Sequence, residues 1–157
     1  RLIKEPMNFS DKNFISINDL HKIIKILFFP DKFEESGRFN LTRKQKDLVF
    51  KYMSGYPREF GYNDEEYPYF FNKFFIYGDE ELDFSNRFKI FNKVGLAYGQ
   101  LTDVAYIVND SISIILTATI DVNTNKIYND DSYDYDLIGF PFLAQLSRGI
   151  FKIISNN

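Results

Sequence analysis

The 157-residue sequence contains no cysteine and only one histidine, and both shortages exclude kinds of site. Without cysteine the chain has no disulfide framework, no thiolate nucleophile and no zinc site with cysteine ligands. His21 alone cannot form a histidine-based metal site, so we assign it a structural or solvated role. We therefore expect no metal and no cofactor.

The sequence also lacks an excess of positive charge. Its 19 basic and 22 acidic residues are well mixed, with a formal net charge of -3. No basic stripe is available to follow a phosphate backbone, so nucleic acid is not an expected partner. No apolar run reaches the roughly 18 residues that cross a bilayer, and the first ten residues lack the apolar stretch of a signal peptide. We expect no transmembrane segment in this chain.

Length and composition indicate one globular domain covering residues 1–157. Hydrophobic residues make up 45% and charged residues 26% of the chain, which is typical of a soluble globular protein. The 18 phenylalanines and 11 tyrosines predict a heavily aromatic core. The chain begins with Arg1 rather than methionine, from which we expect another part of the protein to lie upstream or on a companion chain.

The first half of the chain, residues 1–83, is predicted to be mainly helical. Residues 16–29, SINDLHKIIKILFF, place apolar side chains at helical spacing between a Ser16 cap and Pro30. A second helix is predicted from Thr42, with Gln45 as its capping-box partner, to the turn sequence SGYPREFGY. The aromatic and acidic stretch that follows is expected to contain one short helix ending at Gly78.

Residues 87–122 change to a strand pattern. RFKIFNKV alternates, and LTDVAYIV and SISIILTATIDV are rich in β-branched residues, which predicts three antiparallel strands with Asn109 and Asp110 in the second turn. The run from Ile114 to Ile120 is apolar on both faces, which is typical of a central strand rather than an edge.

A closing helix is predicted over residues 134–154, where Ile138, Phe142, Leu146 and Ile150 form one stripe. The fold class is therefore α+β: helices, a three-strand antiparallel meander and a closing helix. The acidic sequence NDDSYDYD, residues 129–136, lacks the glycine and distal glutamate of a calcium loop and suits a helix N-terminus. The acidic residues Asp79, Glu80, Glu81 and Asp83 are expected to form a solvated surface run.

This order of elements resembles the C-terminal part of a class A β-lactamase-like serine hydrolase over nearly the whole chain. ISINDLHKIIKIL and LTRKQKDLVFKYM are similar to two successive helices after the family's omega-loop region, and IGFPFLAQLSRGIFKI is similar to its final helix. FNKVGLAYG falls where the family carries its Lys-Thr/Ser-Gly strand. Of the family's three catalytic motifs, Ser-x-x-Lys, Ser-Asp-Asn and Lys-Thr/Ser-Gly, only the third has a counterpart here.

The resemblance implies a role for each residue of this segment. Lys93 supplies positive potential for an anionic substrate and assists proton movement near the nucleophile. Gly95 lets the substrate approach the strand because it has no Cβ. Leu96 donates its backbone N–H to the oxyanion, an interaction whose removal costs about 2.7–4 kcal/mol of transition-state stabilisation.

Val94 departs from the family pattern, in which a hydroxyl at this substrate-binding position holds the substrate carboxylate. Valine provides no donor, and leaving a buried polar group unpaired costs about 1–3 kcal/mol. Penicillins are therefore expected to be poor substrates, whereas acyl transfer on another ester or amide is less affected. Tyr98 and Asp103 flank the strand and are candidates to reach the cleft or to support it, although Tyr98 also suits core packing.

Three hypotheses follow. In the leading one, a serine upstream of this chain forms an acyl-enzyme with a small-molecule or peptide substrate. In the second, the chain keeps the fold but only binds a peptide, glycan or protein, a view favoured by Val94. In the third, the chain is an independent interaction domain and Lys93 is a strand lysine whose ammonium reaches water.

The resemblance also implies a partner and a location. In the resembling fold two N-terminal strands pair along the outer edge of the strand at 112–120. We expect that edge to be covered by the N-terminal half of the same protein, by a companion chain or by a second copy. Many such hydrolases are exported, which suggests the periplasm of a bacterium.

Overall fold

The computed structural model describes residues 10–63, 65–68, 71–79, 88–128 and 130–156. Helices come first, a three-stranded antiparallel sheet follows, and a helix closes the chain, so the predicted α+β class is confirmed. The helices are α1 (Ile17–Phe28), α2 (Arg43–Ser54), α3 (Phe74–Tyr77) and α4 (Phe140–Ser155), and the strands are β1 (Lys89–Ala97), β2 (Gln100–Val108) and β3 (Ser113–Asp121).

The starts of α1 and α2 lie where the capping residues predicted them. The Ser16 hydroxyl accepts a hydrogen bond from the Asp19 backbone N–H at 3.0 Å. Thr42 and Gln45 form a reciprocal capping box, with the Gln45 side chain accepting from the Thr42 N–H at 2.9 Å. Each cap satisfies donors that the first helical turn leaves without an intrahelical partner.

The predicted third helix is only four residues long, and its backbone is not regular. α3 ends before Gly78 as expected, but Phe75 has extended backbone angles and Ile76 has a φ of 71°. Positive φ is uncommon for a β-branched residue, so burial and hydrogen bonding must hold this turn in place. Of the acidic run predicted at the surface, Asp79 instead pairs with Arg148 on α4, and residues 80–83 lie outside the described part.

The three strands form the predicted meander, and their register is continuous. Lys89 pairs with Val108 at one end of β1 and Ala97 pairs with Gln100 at the other. β2 and β3 are joined at the predicted turn, where the Asn109 side chain accepts hydrogen bonds from the backbone N–H groups of Ser111 and Ile112. An asparagine that bonds to backbone two and three residues later is a common way to close a tight turn.

The expectation that the Ile114–Ile120 strand is central was wrong for the described sheet. The strand order is β1-β2-β3, so β2 is central and β3 is an edge. Its side chains are apolar on both faces because α1 covers one face and the core below α4 borders the other. Partial burial of both faces of β3 therefore accompanies a pattern that a central strand also shows.

The two faces of the sheet carry different layers. On one face Phe28 of α1 stacks on Phe50 of α2 with centroids 4.5 Å apart, and both rings contact Phe91 of β1. The other face forms the main core with α3 and α4, including Ile90, Leu101, Ala105 and Ile107. Aromatic pairs of this kind contribute about 0.5–1.5 kcal/mol beyond their burial.

α4 packs on the sheet with a different side from the stripe noted in the sequence. Its buried residues are Leu143, Ala144, Ser147 and Phe151, whereas Ile138 and Phe142 are 40% and 42% exposed. Among the described residues, Tyr135–Ser155 is the one helical stretch long and apolar enough to span a membrane. Part of the apolar surface of this stretch, which includes Leu143 and Phe151, is buried in the core beside the sheet.

Candidate functional site

The Lys-Val-Gly segment lies on the outer edge of β1, close to a tight turn. Tyr98 and Gly99 connect β1 to β2, and their φ angles are 55° and 85°. Two central residues with positive φ are the mark of a type I′ turn, whose twist matches that of a β-hairpin. A Cβ on Gly99 would meet Asn123 at 2.4 Å, so this position also requires glycine for space.

The turn determines which backbone groups of β1 face outward. In a two-residue hairpin the flanking pair, here Ala97 and Gln100, exchanges both backbone hydrogen bonds. The next pair, Leu96 and Leu101, is then a non-hydrogen-bonded pair, so the Leu96 N–H points away from β2. No strand pairs with this edge among the described residues. The Leu96 N–H is therefore directed away from the described strands.

The side chains of this segment alternate between the two faces of the sheet. Lys93 is exposed on the face of α1 and α2, and its ammonium donates to the Val94 carbonyl oxygen. Val94 is half-buried and packs against the core on the α4 face, while Gly95 is exposed. We call residues Lys93–Leu96, with their outward backbone groups, the site edge.

A buried polar cluster lies directly behind the site edge. Lys73 is completely buried, and its ammonium donates at 2.7 Å to the Met53 carbonyl of α2 and at 2.7 Å to the Asn92 side-chain oxygen. The Asn92 amide donates to the Asn72 carbonyl at 2.8 Å and to the Asp103 carboxylate at 3.0 Å. We call Lys73, Asn92 and Asp103 the Asn92 network.

The two charged members of this network have strongly shifted pKa values. Burial raises the pKa of Asp103 to about 7, although hydrogen bonds from Asn92 and the Phe75 N–H oppose the shift. Burial lowers the pKa of Lys73 to about 8, and the charge of Asp103 opposes that shift. Both shifts have the sign expected when desolvation disfavours the charged form.

The network also holds the irregular turn of α3. The Asp103 carboxylate accepts from the Phe75 N–H at 3.1 Å, and the Ser147 hydroxyl of α4 accepts from the Ile76 N–H at 2.8 Å. These two side chains satisfy buried backbone donors that a regular helix would have paired internally. Asp103, a candidate for the cleft, thus faces the interior and supports the turn.

The remaining candidates have structural surroundings. His21 hydrogen bonds through Nδ1 to the Thr117 hydroxyl at 3.0 Å, joining α1 to β3. Within the acidic segment before α4, Asp130 accepts from the Asn125 amide and Asp134 accepts from the Thr124 hydroxyl. The described residues contain no group of three or more histidine or acidic side chains arranged to hold a metal ion.

A cavity of about 370 Å³ lies away from the site edge. Phe71, Phe74 and Phe140 form its apolar wall, and Glu66, Asp79 and Asp136 add carboxylates. Its described lining residues include none from β1, so it does not extend the site edge.

Sequence reasoning missed Lys73 and Asn92. Lys73 lies in an aromatic stretch without a recognisable motif, and its partners are about twenty residues away in the chain. The sequence did contain a signal for Asn92. In the alternating pattern of two neighbouring strands, Asn92 and Asp103 both fall on the side that faces the core, where an unpaired polar side chain is costly. Two polar residues at inward positions of neighbouring strands predict a buried hydrogen bond.

Comparison of the chain with protein-family models, with curated proteins and with solved structures gave no match.

Replacing Tyr98 with asparagine separates a turn role from a substrate role. Asparagine tolerates positive φ better than tyrosine, and Asn-Gly is a favoured type I′ turn. We expect Tyr98→Asn to change the free energy of unfolding by less than about 1 kcal/mol, which urea unfolding measures. Unchanged ligand or probe binding in this variant would exclude Tyr98 from substrate contact, and Tyr98→Phe is the control that keeps the ring.

Proposed function

We propose that this chain is the C-terminal portion of a β-lactamase-like serine hydrolase that acts by acyl-enzyme chemistry on an ester or amide. The nucleophilic serine lies outside residues 1–157, which contain no Ser-x-x-Lys sequence. Lys93 supplies the cationic side chain, and the Leu96 N–H supplies one donor to the oxyanion. The substrate is a small-molecule or peptide acyl compound.

The observation that carries this proposal is the outward direction of the Leu96 N–H on a strand edge that no other described strand covers. An oxyanion donor must be a preorganised N–H that is not consumed by secondary structure. The hairpin register leaves the Leu96 N–H free of β2, three residues after an exposed lysine. A surface lysine on an ordinary paired strand would lack that combination.

A binding module without catalysis is the second candidate function, and Val94 favours it. Its side chain packs against the core and provides no hydroxyl at the site edge. The free edge of β1 can still pair with an extended peptide through its outward backbone groups. Under this alternative Lys93 attracts an acidic ligand but takes part in no proton transfer.

Covalent labelling tests the proposal. Protein prepared with the sequence upstream of Arg1 should react with a fluorophosphonate probe at one serine outside these residues. Lys93→Ala should slow that reaction at least about tenfold, because the cationic side chain beside the nucleophile is lost. Mass spectrometry of the labelled peptide identifies the serine, and the time course gives the rate.

Lys89→Ala is the matched control. Lys89 lies on the same strand and the same face, but its ammonium sits 5.1 Å from the Phe91 ring centre instead of at the site edge. Its removal should leave the labelling rate unchanged. Labelling of a serine within residues 1–157, or an equal loss in both variants, contradicts the proposed role of Lys93.

A further inference from the structure

Asn92 lies immediately before the site edge, and its side chain is held from three directions. The strand alternation turns Asn92 into the interior and Lys93 outward. Lys73 donates to the Asn92 oxygen, so that atom must be the acceptor, while a carbonyl and a carboxylate accept from its nitrogen. These opposite requirements fix the amide in one orientation.

The partners of Asn92 come from separate parts of the fold. Asp103 belongs to β2, Asn72 belongs to the segment before α3, and Lys73 extends the connection to the Met53 carbonyl at the end of α2. β1 is otherwise tied by backbone pairing on one side only, because its outer edge has no strand partner among the described residues. The Asn92 side chain adds hydrogen bonds next to the site edge to the backbone pairing with β2 and to the packing of Phe91 and Ile90.

A fully apolar interior would be the simpler way to stabilise this region. Buried ionic and polar clusters are often no more stable than well-packed hydrophobic residues, since desolvation offsets the attraction. Satisfied buried networks do, however, impose a single arrangement on the groups that they join. The position of this cluster, one residue from Lys93, argues for such a geometric role.

We infer that Asn92 is a positioning residue that sets the placement of Lys93 and the Leu96 N–H, with Lys73 and Asp103 as its buried supports. The role of Asn92 in acylation rests on the proposed function. Its effect on the geometry of the site edge does not depend on that function. Asn92 makes no contact with substrate in this role.

Asn92→Leu tests the inference in the protein prepared for labelling. The backbone amide NMR signals of residues 93–96 should move or broaden, because leucine cannot bridge Lys73 and Asp103. The rate of acylation at saturating probe should fall roughly tenfold or more, with little change in the probe concentration for half-saturation. Lys73→Met, which keeps Asn92 but removes its donor, should shift the same signals if Asn92→Leu does not fold.

Phe151→Leu is the control for a general loss of stability. It truncates a buried side chain of α4 whose ring packs on Phe88. Its signals at residues 93–96 should stay at the wild-type positions. Wild-type signals in both Asn92→Leu and Lys73→Met, or equal shifts in Phe151→Leu, would overturn the inference. Shifted signals without any labelling in the wild-type protein would support positioning and reject acyl transfer.

Discussion

Asp103→Leu is expected to lower the free energy of unfolding by about 3–5 kcal/mol, because it leaves buried donors unpaired and removes the negative charge near the buried Lys73. In this variant the Asn92 amide and the Phe75 N–H lose an acceptor, and Lys73 loses the negative charge that opposes its own. Urea unfolding near pH 7 measures the loss. A loss below about 1 kcal/mol would be typical of a surface change and would contradict the buried network.

Asp103→Asn is the matched variant, because it keeps the shape and one acceptor oxygen but cannot ionise. The pKa of Asp103 is raised from its ordinary value of 3.8 to about 7, so the folded state binds its proton more tightly than the unfolded state. The part of the stability that comes from tighter proton binding by this carboxyl is therefore fully present below about pH 4 and is lost as the pH rises through 7, while the hydrogen bonds that the carboxyl accepts remain. The stability difference between wild type and Asp103→Asn should fall over that range.

Titration of Lys73 changes the free energy of unfolding at higher pH, and in the opposite direction to titration of Asp103. Its pKa is lowered from 10.5 to about 8, so the unfolded state binds the proton more tightly. Its unfavourable contribution is present below pH 8 and is relieved as the pH rises toward 10.5. Lys73→Met should therefore remove a rise in stability above pH 8. A flat difference profile for both variants would show that neither group is buried as described.

Local signals predicted the helix starts, because a cap is a contact between residues three apart. Ser16 with Asp19 and Thr42 with Gln45 can be recognised without knowing the rest of the fold. Alternation and β-branched residues likewise predicted all three strands. These elements depend on neighbours within a few residues.

The features that were missed depend on distant contacts. The irregular α3 turn is held by Asp103 and Ser147, which lie 28 and 71 residues away from their partners. β3 carries apolar residues on both faces because α1 borders one face and the main core borders the other. The sequence pattern does not indicate which strand pairs with it. Strand order and buried polar pairing are long-range properties, so periodicity alone does not reveal them.

Among the residues that the structure describes, no strand pairs with the outer edge of β3, and natural proteins rarely leave such an edge unprotected. The register that turns Leu96 away from β2 also makes Leu101 and Ile120 a hydrogen-bonded pair, so the backbone groups of Thr119 and Thr117 point outward. The described edge carries no lysine, proline or bulge, the usual devices against association. A free ladder next to apolar side chains favours pairing with another chain.

We expect the 157-residue chain on its own to associate through β3, and Thr119→Pro to reduce that association strongly. Proline removes an N–H that points outward, so the ladder with β2 keeps its bonds while the edge loses a donor. Thr119→Val is the control, because it also removes the hydroxyl that bonds to Thr102 but retains the N–H. Sedimentation velocity should show oligomers for wild type and Thr119→Val, and mainly monomer for Thr119→Pro.

Sequence upstream of Arg1 should also prevent association through β3, as Thr119→Pro does, if it supplies a strand that covers this edge. Protein that includes this sequence should sediment as a monomer, and amide hydrogen exchange at Thr117 and Thr119 should slow because their N–H groups become paired. A stable monomer of the 157-residue chain with fast exchange at both positions would show that β3 is a true solvent edge. The β-lactamase-like assignment, in which a further strand covers this edge, would then fail, and with it the acyl-transfer role of Lys93.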